Sequence, residues 1–176
     1  MEFEKLIAER RSVRKYQDKP VDHEILVRIL KEAQMAPSWK NLQASRCYVV
    51  ESGEKLEQFR ALALPSFNQA SSAGAALIVT TFVRDVVAYT NGQPDTELEN
   101  KWGAYDLGLH DAYLVLAAKN AGLDTLIMGI RNAAAIREAL QIPENEDVVS
   151  VIAVGYRDQE PALRPRKEPE EVVKFL

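Results

Sequence analysis

Apolar positions in the first 35 residues recur every three or four positions, which is the spacing of one helix face. This pattern predicts a short amphipathic helix over residues 2–9 and a longer one over residues 23–35. Asp22 stands where an N-cap residue would begin the second helix, because its carboxylate can accept a hydrogen bond from a free backbone N–H. Pro37 follows the second helix and is expected to end it.

A different pattern appears in four shorter runs, which are rich in β-branched residues and bounded by polar ones. Runs of this kind predict β-strands. Helical stretches separate them, so an α+β fold is predicted. The four predicted strands cover residues 47–51, 76–83, 125–130 and 148–155.

The helix predicted over residues 101–121 differs from the others in its second half. Residues 112–118 are apolar on every side, which predicts a helix buried all round, either in a core or in a subunit interface. Gly122 stands where a residue in the left-handed conformation would end the helix. Leu123 would then supply the apolar contact that usually follows such an end.

Two segments lack a clear period. Residues 84–100 are polar and include Asn91-Gly92, so a long loop is predicted, which either covers a ligand site or is simply mobile. Residues 164–176 carry charges and prolines before an apolar end. We expect that end to dock on another surface, such as a partner subunit.

Length and composition restrict the class of protein. The 176 residues are 47 % hydrophobic and 27 % charged, as expected of a single globular domain over residues 1–176. The most apolar stretch, residues 75–83, is far shorter than the roughly 20 residues that cross a bilayer. Residues 1–11 lack the apolar core and cleavage site of a signal peptide, so a cytoplasmic location without a membrane partner is expected.

Charge and the scarcity of cysteine and histidine exclude further classes. A formal net charge of −4 disfavours nucleic-acid binding, which needs a basic surface. Cys47 is the only cysteine, and His23 and His110 are the only histidines, so neither a disulfide nor a metal site is expected. His110 and Asp111 are neighbours on a predicted helix, where adjacent side chains do not face each other. Both histidines are therefore expected to be surface or packing residues.

Two cationic clusters occur in this acidic chain. Residues 10–15 include four arginines or lysines, and Arg164, Arg166 and Lys167 lie near the other end. Arginine forks together with the hydroxyl of Ser12 suit a phosphate group. The clusters indicate one small anionic ligand, although solvated charge runs would give the same pattern.

Side chains for direct catalysis are scarce. The chain has no GxGxxG after a strand, no GxxxxGK[ST] and no GxSxG, which argues against Rossmann, P-loop and serine-hydrolase sites. A phosphate-binding cluster combined with few reactive side chains fits an enzyme whose organic cofactor supplies the reactivity.

Four motifs follow one another in a specific order and cover nearly the whole chain. They are Arg10–Tyr16 (RRSVRKY) with Pro20-Val21, Ala36–Gln43 (APSxxNxQ), Ala117–Leu123 (AAxxxGL) with Met128-Gly129, and Gly155-Tyr156 with Arg164–Lys167 (RPRK). In order and spacing they resemble the motifs of the nitroreductase-like flavoproteins. Each motif alone is weak, but the four together are specific to that family.

The resemblance implies an α+β, three-layer fold, in which a central mixed, mainly antiparallel sheet is flanked by helices, and an intertwined homodimer. It also implies FMN at the dimer interface and electron transfer from NAD(P)H to a small acceptor, such as a nitroaromatic, quinone or activated enone, by a ping-pong mechanism. The flavin would carry the chemistry, so no catalytic side chain is expected. Two alternatives stay open: a flavin-dependent oxidase or dehydrogenase with another donor, and a non-catalytic flavin- or phospholigand-binding protein.

The resemblance also implies which residues bind the cofactor. At the phosphate and ribityl chain these are Arg10, Arg11, Ser12, Arg14, Arg164 and Arg166. Near the flavin ring they are Asn41, Gln43, Met128 and Gly129. Those that would reach the flavin bound mainly by the other subunit are Pro37, Ser38 and Trp39. Taken singly, Asn41 is equally consistent with a loop cap, Gly129 with a β-bulge and Pro37 with a helix stop.

The chain departs from the family pattern in two places. Ala112-Tyr113 stands where many relatives have Gln-Asn, and Trp39 stands where a small residue is common. A tryptophan beside the flavin would narrow the pocket and stack on an aromatic substrate, or it would anchor the dimer interface. These departures affect the expected acceptor more than the expected cofactor, and the sequence does not distinguish NADH from NADPH.

Overall fold

The computed structural model describes residues 2–176, in which seven helices and six strands are interspersed along the chain. The helices are α1 (Phe3–Glu9), α2 (His23–Ala33), α3 (Gly53–Ala63), α4 (Ser66–Ser72), α5 (Lys101–Asn120), α6 (Ala133–Leu140) and α7 (Pro169–Val172). The strands are β1 (Ser45–Val50), β2 (Ala76–Val83), β3 (Tyr89–Thr90), β4 (Gln93–Pro94), β5 (Asp124–Met128) and β6 (Glu146–Gly155). A 3₁₀ turn, Trp39–Asn41, lies between α2 and β1.

The central sheet is antiparallel, in the order β1-β2-β6-β5, and helices cover both of its faces. Leu77 and Val79 of β2 pack in the same cluster as residues of α3 and α6. Ala76 and Ile78 point the other way and pack with α2 and α5. A strand covered on both faces must be apolar throughout, which explains the unbroken apolar run of β2. The expected three-layer α+β fold is confirmed.

The start of the chain is fastened to the edge of this sheet. Ser12 forms a parallel bridge with Thr125 of β5, which gives the sheet its mixed character. The backbone hydrogen bonds that hold the segment run from Val13 N–H to the Thr125 carbonyl (3.0 Å), from Gln17 N–H to the Tyr156 carbonyl (2.8 Å) and from Asp158 N–H to the Lys15 carbonyl (2.9 Å). The segment just after β6 therefore lies beside residues 15–17.

Local signals fixed the ends of several elements as expected. The Oδ1 atom of Asp22 accepts the N–H of Glu24 (3.0 Å), so Asp22 caps α2. Gly122 has a φ of 84° just after α5, and the N–H of Leu123 donates to the Ala118 carbonyl (2.9 Å). The bounds of the four central strands lie within two residues of those predicted.

Within one chain, the second half of α5 is buried on one side only, so burial of its other side in a subunit interface stays a prediction. Leu114 and Ala118 are fully buried against the sheet, but Ala112 is exposed and Tyr113 is 43 % exposed. The sheet and α2 cover only one side of the helix, and its apolar residues on the other side face outwards.

Residues 84–100 form more structure than the predicted long loop. β3 and β4 pair as a short hairpin within this segment, and Asn91 and Gly92 between them have φ values of 51° and 74°. Two successive residues with positive φ are typical of a tight hairpin turn, for which Asn-Gly is a preferred sequence. Each strand of the hairpin has only two residues, which is too short to produce a periodic pattern in the sequence.

The tail, residues 164–176, runs along the outside of the chain. Phe175 is 95 % exposed, so the apolar end of the tail does not pack on its own chain. The surface on which we expect it to dock stays a prediction. Among residues 2–176, no helix is both long enough and apolar enough to cross a membrane.

Two glycines of α5 offer a matched test of how tightly this helix is packed. A Cβ atom on Gly103 would overlap a ring carbon of Phe82, whereas a Cβ on Gly108 would meet no atom within 4 Å. We expect Gly103→Ala to lower the free energy of unfolding by roughly 1–3 kcal/mol, because the added methyl group would overpack the core. Gly108→Ala should raise it by up to about 1 kcal/mol through helix propensity. Thermal and urea unfolding measure both, and equal effects would contradict the packing of α5 described above.

Candidate functional site

Three polar residues of the N-terminal segment lie on one side of it. Ser12 and Arg14 are exposed, and Val13 between them is completely buried in the core. Side chains alternate in this way along an extended chain, so residues two apart share a side. Arg10 stands two residues before Ser12 in the same alternation. Burial of Val13 thereby turns the polar groups of this segment towards solvent.

The two arginines of this group lack acidic partners. Within residues 2–176, the side chain of Arg10 makes no hydrogen bond or ion pair, and that of Arg14 makes only a long hydrogen bond to the Ser12 carbonyl (3.4 Å). The neighbouring Lys15, in contrast, is paired with Asp158 (3.0 Å). Two guanidinium groups and a hydroxyl therefore stay available for an anion.

Arg11 is placed differently from Arg10 and Arg14. Its Nη1 atom donates to the carbonyls of Ala8 (2.5 Å) and Arg10 (2.9 Å) at the end of α1. A cation at a helix C-terminus satisfies free carbonyl groups there. The structure assigns Arg11 to the end of this helix, and its part in phosphate binding stays a prediction.

Arg164 and Arg166 lie on the exposed tail. The Nη1 atom of Arg166 donates to the Arg164 carbonyl (2.9 Å). Arg164 follows Asp158 by six residues, a length of chain that spans at most about 20 Å. Because Asp158 is bonded to Lys15, the tail begins within about 20 Å of the N-terminal segment. The structure does not bring the two sets of guanidinium groups into contact, and their convergence stays a prediction.

The turn between α2 and β1 is strained. Lys40, Asn41 and Gln43 all have positive φ values, between 48° and 56°. Non-glycine residues in this conformation cost about 1–3 kcal/mol each and occur mainly where surrounding contacts hold them, often at ligand sites. The N–H of Trp39 donates to Oδ2 of Asp106 in α5 (2.9 Å), and the N–H of Gln43 donates to Oγ of Ser38 (3.2 Å).

Trp39 belongs to an aromatic cluster with two residues of α5. Its ring lies 5.1 Å from that of Trp102, which in turn meets Tyr105 edge-on at 5.5 Å. The indole N–H of Trp102 donates to Oγ1 of Thr96, in the segment before α5 (2.8 Å). The segment 84–100 and the strained turn are therefore joined through this cluster.

Met128 and Gly129 lie at the end of β5. Met128 is buried in the core, while Gly129 follows the strand, is exposed and has open space beside its Cα atom. Gly129 is therefore not part of a β-bulge. Its open side leaves room for a flat ligand to approach the backbone.

A cavity of about 410 Å³ opens between α2, the strained turn, β1 and α5. We call it the turn cavity, and its lining includes Pro37, Ser38 and Gln43 from the predicted site residues. The lining also includes Cys47, Asp106 and His110, which the sequence did not suggest as site residues. Burial raises the pKa of the Asp106 carboxyl, and the hydrogen bond from the Trp39 N–H opposes that effect.

His110 and Asp111 contact each other, which contradicts the expectation from helix geometry. The Nδ1 atom of His110 lies 3.2 Å from Oδ1 of Asp111. The spacing rule describes side chains that extend straight out from the helix, whereas the imidazole of His110 turns back along the helix to its neighbour. Within residues 2–176, no three metal-ligating side chains converge on a common point.

Comparisons with known proteins agree with the fold and the motifs. The model of the nitroreductase family matches residues 7–156. The NADPH-flavin oxidoreductase of Vibrio harveyi is 32 % identical over 162 residues, which cover 89 % of this chain and 66 % of that protein. FMN reductase (NAD(P)H) of Bacillus subtilis strain 168 is 29 % identical over 181 residues, covering 96 % of this chain and 71 % of that protein. The structure of nitroreductase A from Vibrio parahaemolyticus RIMD 2210633 matches with a TM-score of 0.80 and 30 % identity, covering 97 % of this chain and 73 % of that one.

Replacing Asp106 tests how the strained turn is held. Asp106→Ala leaves the partly buried N–H of Trp39 without its acceptor, so we expect a loss of about 1–2 kcal/mol in the free energy of unfolding. Asp106→Asn keeps a side-chain oxygen as acceptor and removes the charge, so it should be much less harmful at pH 7. Thermal unfolding of both variants and the wild type provides the measurement.

The pH dependence of this comparison follows from the raised pKa of Asp106. The folded protein binds the proton more tightly than the unfolded chain does, so the charged carboxylate costs stability above its folded pKa. That cost disappears as the pH falls through the folded pKa. The stability of Asp106→Asn relative to the wild type should therefore decrease between pH 7 and pH 4. Equal stability of the Ala and Asn variants at pH 7 would contradict the role given to this hydrogen bond.

Proposed function

This chain belongs to the nitroreductase family, and we propose that it is an FMN-dependent oxidoreductase, which takes electrons from NAD(P)H and passes them to a small acceptor. The match of the family model over residues 7–156 supports the family. The names of the Vibrio harveyi and Bacillus subtilis relatives support the flavin and the nicotinamide donor. The observation in the structure that supports it most is the pair of guanidinium groups of Arg10 and Arg14, which flank Ser12 without acidic partners.

The residues of the N-terminal segment fit the phosphate of FMN. A terminal phosphate carries close to two negative charges and several acceptor oxygens, and arginine forks bind such groups in bidentate fashion. Arg10 and Arg14 would bind it with the hydroxyl of Ser12. Arg164 and Arg166 would complete the site once the tail folds over it, and Arg11 would support the segment from the end of α1.

Residues on two other segments fit the ring system. Gly129 leaves space for a flat ring beside the end of β5, and the buried Met128 fixes the position of that strand end. Asn41 and Gln43 would donate to the flavin edge from the strained turn. Preorganised donors of this kind stabilise negative charge without having to reorient. Bound FMN supplies the two-electron chemistry, so the protein needs no reactive side chain for electron transfer.

We propose a homodimer with an FMN site at each side of its interface. α1 and α5 form an apolar groove at the surface, which is lined by Phe3, Leu6, Tyr113 and Leu116. Phe3 is 65 % exposed and Tyr113 is 43 % exposed, so the groove is a contiguous apolar surface of the kind that marks an interaction site. A second copy on this face would bury the groove. Pro37, Ser38 and Trp39 would then contact the flavin held mainly by the partner subunit.

The acceptor is proposed to be a nitroaromatic, a quinone or an activated enone. Trp39 and its aromatic neighbours provide flat apolar surface for a planar acceptor beside the strained turn. A reaction in which the donor leaves before the acceptor binds would follow ping-pong kinetics. A cytoplasmic location stays a prediction from the sequence.

The absorption spectrum of the purified protein tests the proposed function. The protein should be yellow with flavin bands, should release FMN on denaturation, and should bleach without oxygen when NADH or NADPH is added. Bound flavin that does not bleach with either donor would contradict the reductase and favour an oxidase or dehydrogenase with another donor. A protein that neither contains nor takes up FMN would contradict the proposal altogether.

The combined variant Arg14→Gln/Arg166→Gln tests the phosphate site. We expect its affinity for FMN to fall at least 100-fold, because hydrogen bonds to charged groups contribute about 1.5–3 kcal/mol each. Arg28→Gln, at an exposed position on α2 outside the motifs, serves as the matched control and should bind FMN like the wild type. Titration of flavin fluorescence measures all three proteins. Unchanged affinity in the double variant would mean that these arginines are only solvated charges.

A further inference from the structure

The turn cavity contains a cysteine next to a histidine that is oriented by a carboxylate. The Sγ atom of Cys47 lies 4.0 Å from Nε2 of His110, and Nδ1 of the same ring lies 3.2 Å from Oδ1 of Asp111. Cys47 and His110 both line the cavity. A nucleophile, a base and a group that orients the base are the components of a site for covalent chemistry. Contacts between such groups are often long before a substrate binds.

A buried polar chain behind Asp111 fixes the orientation of the histidine. The hydroxyl of Thr80 donates to Oδ2 of Asp111 (3.0 Å), and because that uses its hydrogen, Ser150 donates to Thr80 (2.9 Å). Oδ1 of Asp111 is then left to accept the Nδ1–H of His110. In this tautomer Nε2 carries a lone pair and faces the thiol. Three elements, β6, β2 and α5, thus cooperate to aim one nitrogen at Cys47.

We propose that Cys47 is a reactive thiol that adds to neutral α,β-unsaturated carbonyl compounds, such as enones, maleimides and quinones, which enter the turn cavity. The Sγ–H bond breaks as Sγ forms a bond to the β-carbon of the electrophile, and Nε2 of His110 takes the proton. The electrons of the carbon–carbon double bond move to the α-carbon and carbonyl, which recover the proton from the imidazolium. The addition is balanced and takes no electrons from flavin, but Pro37, Ser38 and Gln43 of this cavity are also proposed to contact FMN, so the two sites overlap.

The surroundings of the thiol make assistance by His110 essential. Burial, with the charge of Asp111 adding to it, raises the pKa of Cys47 to about 12. Without a base, a thiol three units less acidic than a free one reacts roughly 30- to 60-fold more slowly, since the gain in nucleophilicity offsets only part of the lost thiolate. With His110 as the base, the thiol loses its proton while the carbon–sulfur bond forms. No free thiolate then has to exist in the buried site. Asp111 then stabilises the imidazolium, and it acts as a positioning residue.

The size and lining of the cavity favour this class of ligand. About 410 Å³ is within the usual range of small-molecule pockets. Leu30, Ala33 and Pro37 make part of its wall apolar, and Asp106 adds negative charge. Arg46 also lines the cavity, so its wall carries one cation and one carboxylate beside the apolar part, and a neutral compound with a polar carbonyl suits this mixed lining.

N-Ethylmaleimide provides the test, and the count is unambiguous because Cys47 is the only cysteine. The purified protein is treated without NAD(P)H after its flavin has been removed, because residues of the turn cavity are also proposed to contact flavin, and adducts are counted by intact-mass spectrometry. The protein with its flavin is treated in parallel. We expect one adduct per chain, saturation with reagent concentration, and a rate at least equal to that of free cysteine. N-Ethylsuccinimide, which has nearly the same shape but cannot add a thiol, should protect competitively. A linear, unprotected reaction 30-fold or more slower than that of free cysteine would overturn the proposal.

Variants separate proton transfer from simple packing. His110→Ala should lower the limiting rate at least 30-fold, and added imidazole should restore part of it, whereas His23→Ala, on the exposed other histidine, should react like the wild type. Asp111→Asn should lower the limiting rate about tenfold while the half-saturating concentration stays the same. Should His110→Ala react as fast as the wild type, the proposal is wrong. FMN content and bleaching by NAD(P)H are recorded on the parallel samples with flavin, so failure of the thiol chemistry and failure of the reductase function are told apart.

Discussion

The backbone hydrogen bonds between the N-terminal segment and the sheet are the interaction on which the candidate site depends. They tie residues 12–17 to β5 and to the chain that leaves β6. Each bond contributes only about 1 kcal/mol. Burial of Val13 and Tyr16 in the core adds to them, and the Tyr16 hydroxyl donates to the Val13 carbonyl (3.0 Å). Because the segment is extended and held, its polar side chains share one side, and the same bonds bring Arg157 and Asp158, just after β6, beside Lys15 and Tyr16.

The position of α5 is the second constraint on the site. This helix supplies one carboxylate that binds the strained turn and another that orients His110. Asp106 holds the N–H of Trp39 and so stabilises a turn with three positive φ values. Asp111, just over one helical turn further on, orients His110 at the floor of the turn cavity. Gly103 allows the helix to lie against the ring of Phe82, so a shift of the helix would disturb both carboxylates. The position of one helix therefore determines the geometry of the turn and of the thiol.

Local patterns predicted much of the fold because the relevant forces are local. The cap at Asp22, the helix end at Gly122 and the strands of the central sheet follow from turn chemistry and from periodicity. The arginines of the first motif could likewise be found, since they are neighbours in sequence. Asp106 could not be found in this way, because its partner Trp39 is 67 residues away. The exposure of Tyr113 could not be predicted either. An apolar helix has the same sequence pattern whether it packs in the core of its own chain or against another molecule.

The environment of Cys47 could not be predicted from local patterns either, because it is formed by residues that are distant in sequence. Its histidine lies 63 residues away in sequence, and the threonine that completes the carboxylate's bonding lies 31 residues from Asp111. Cysteine and histidine counts alone suggested inert residues, because they carry no information on the register of β1 against β2 or on the packing of α5. The turn cavity exists only where these elements meet.

The most direct test of the phosphate site compares FMN with riboflavin, which has the same ring system without the phosphate. Both are titrated into flavin-free protein at low and at high salt, and the dissociation constants are measured by quenching of flavin fluorescence. Two or more charge-assisted bonds at about 1.5–3 kcal/mol each predict that FMN binds at least 100-fold more tightly, with a ratio that falls as salt screens the arginines. Equal affinities for the two flavins at both salt concentrations would contradict the role given to Arg10, Ser12 and Arg14.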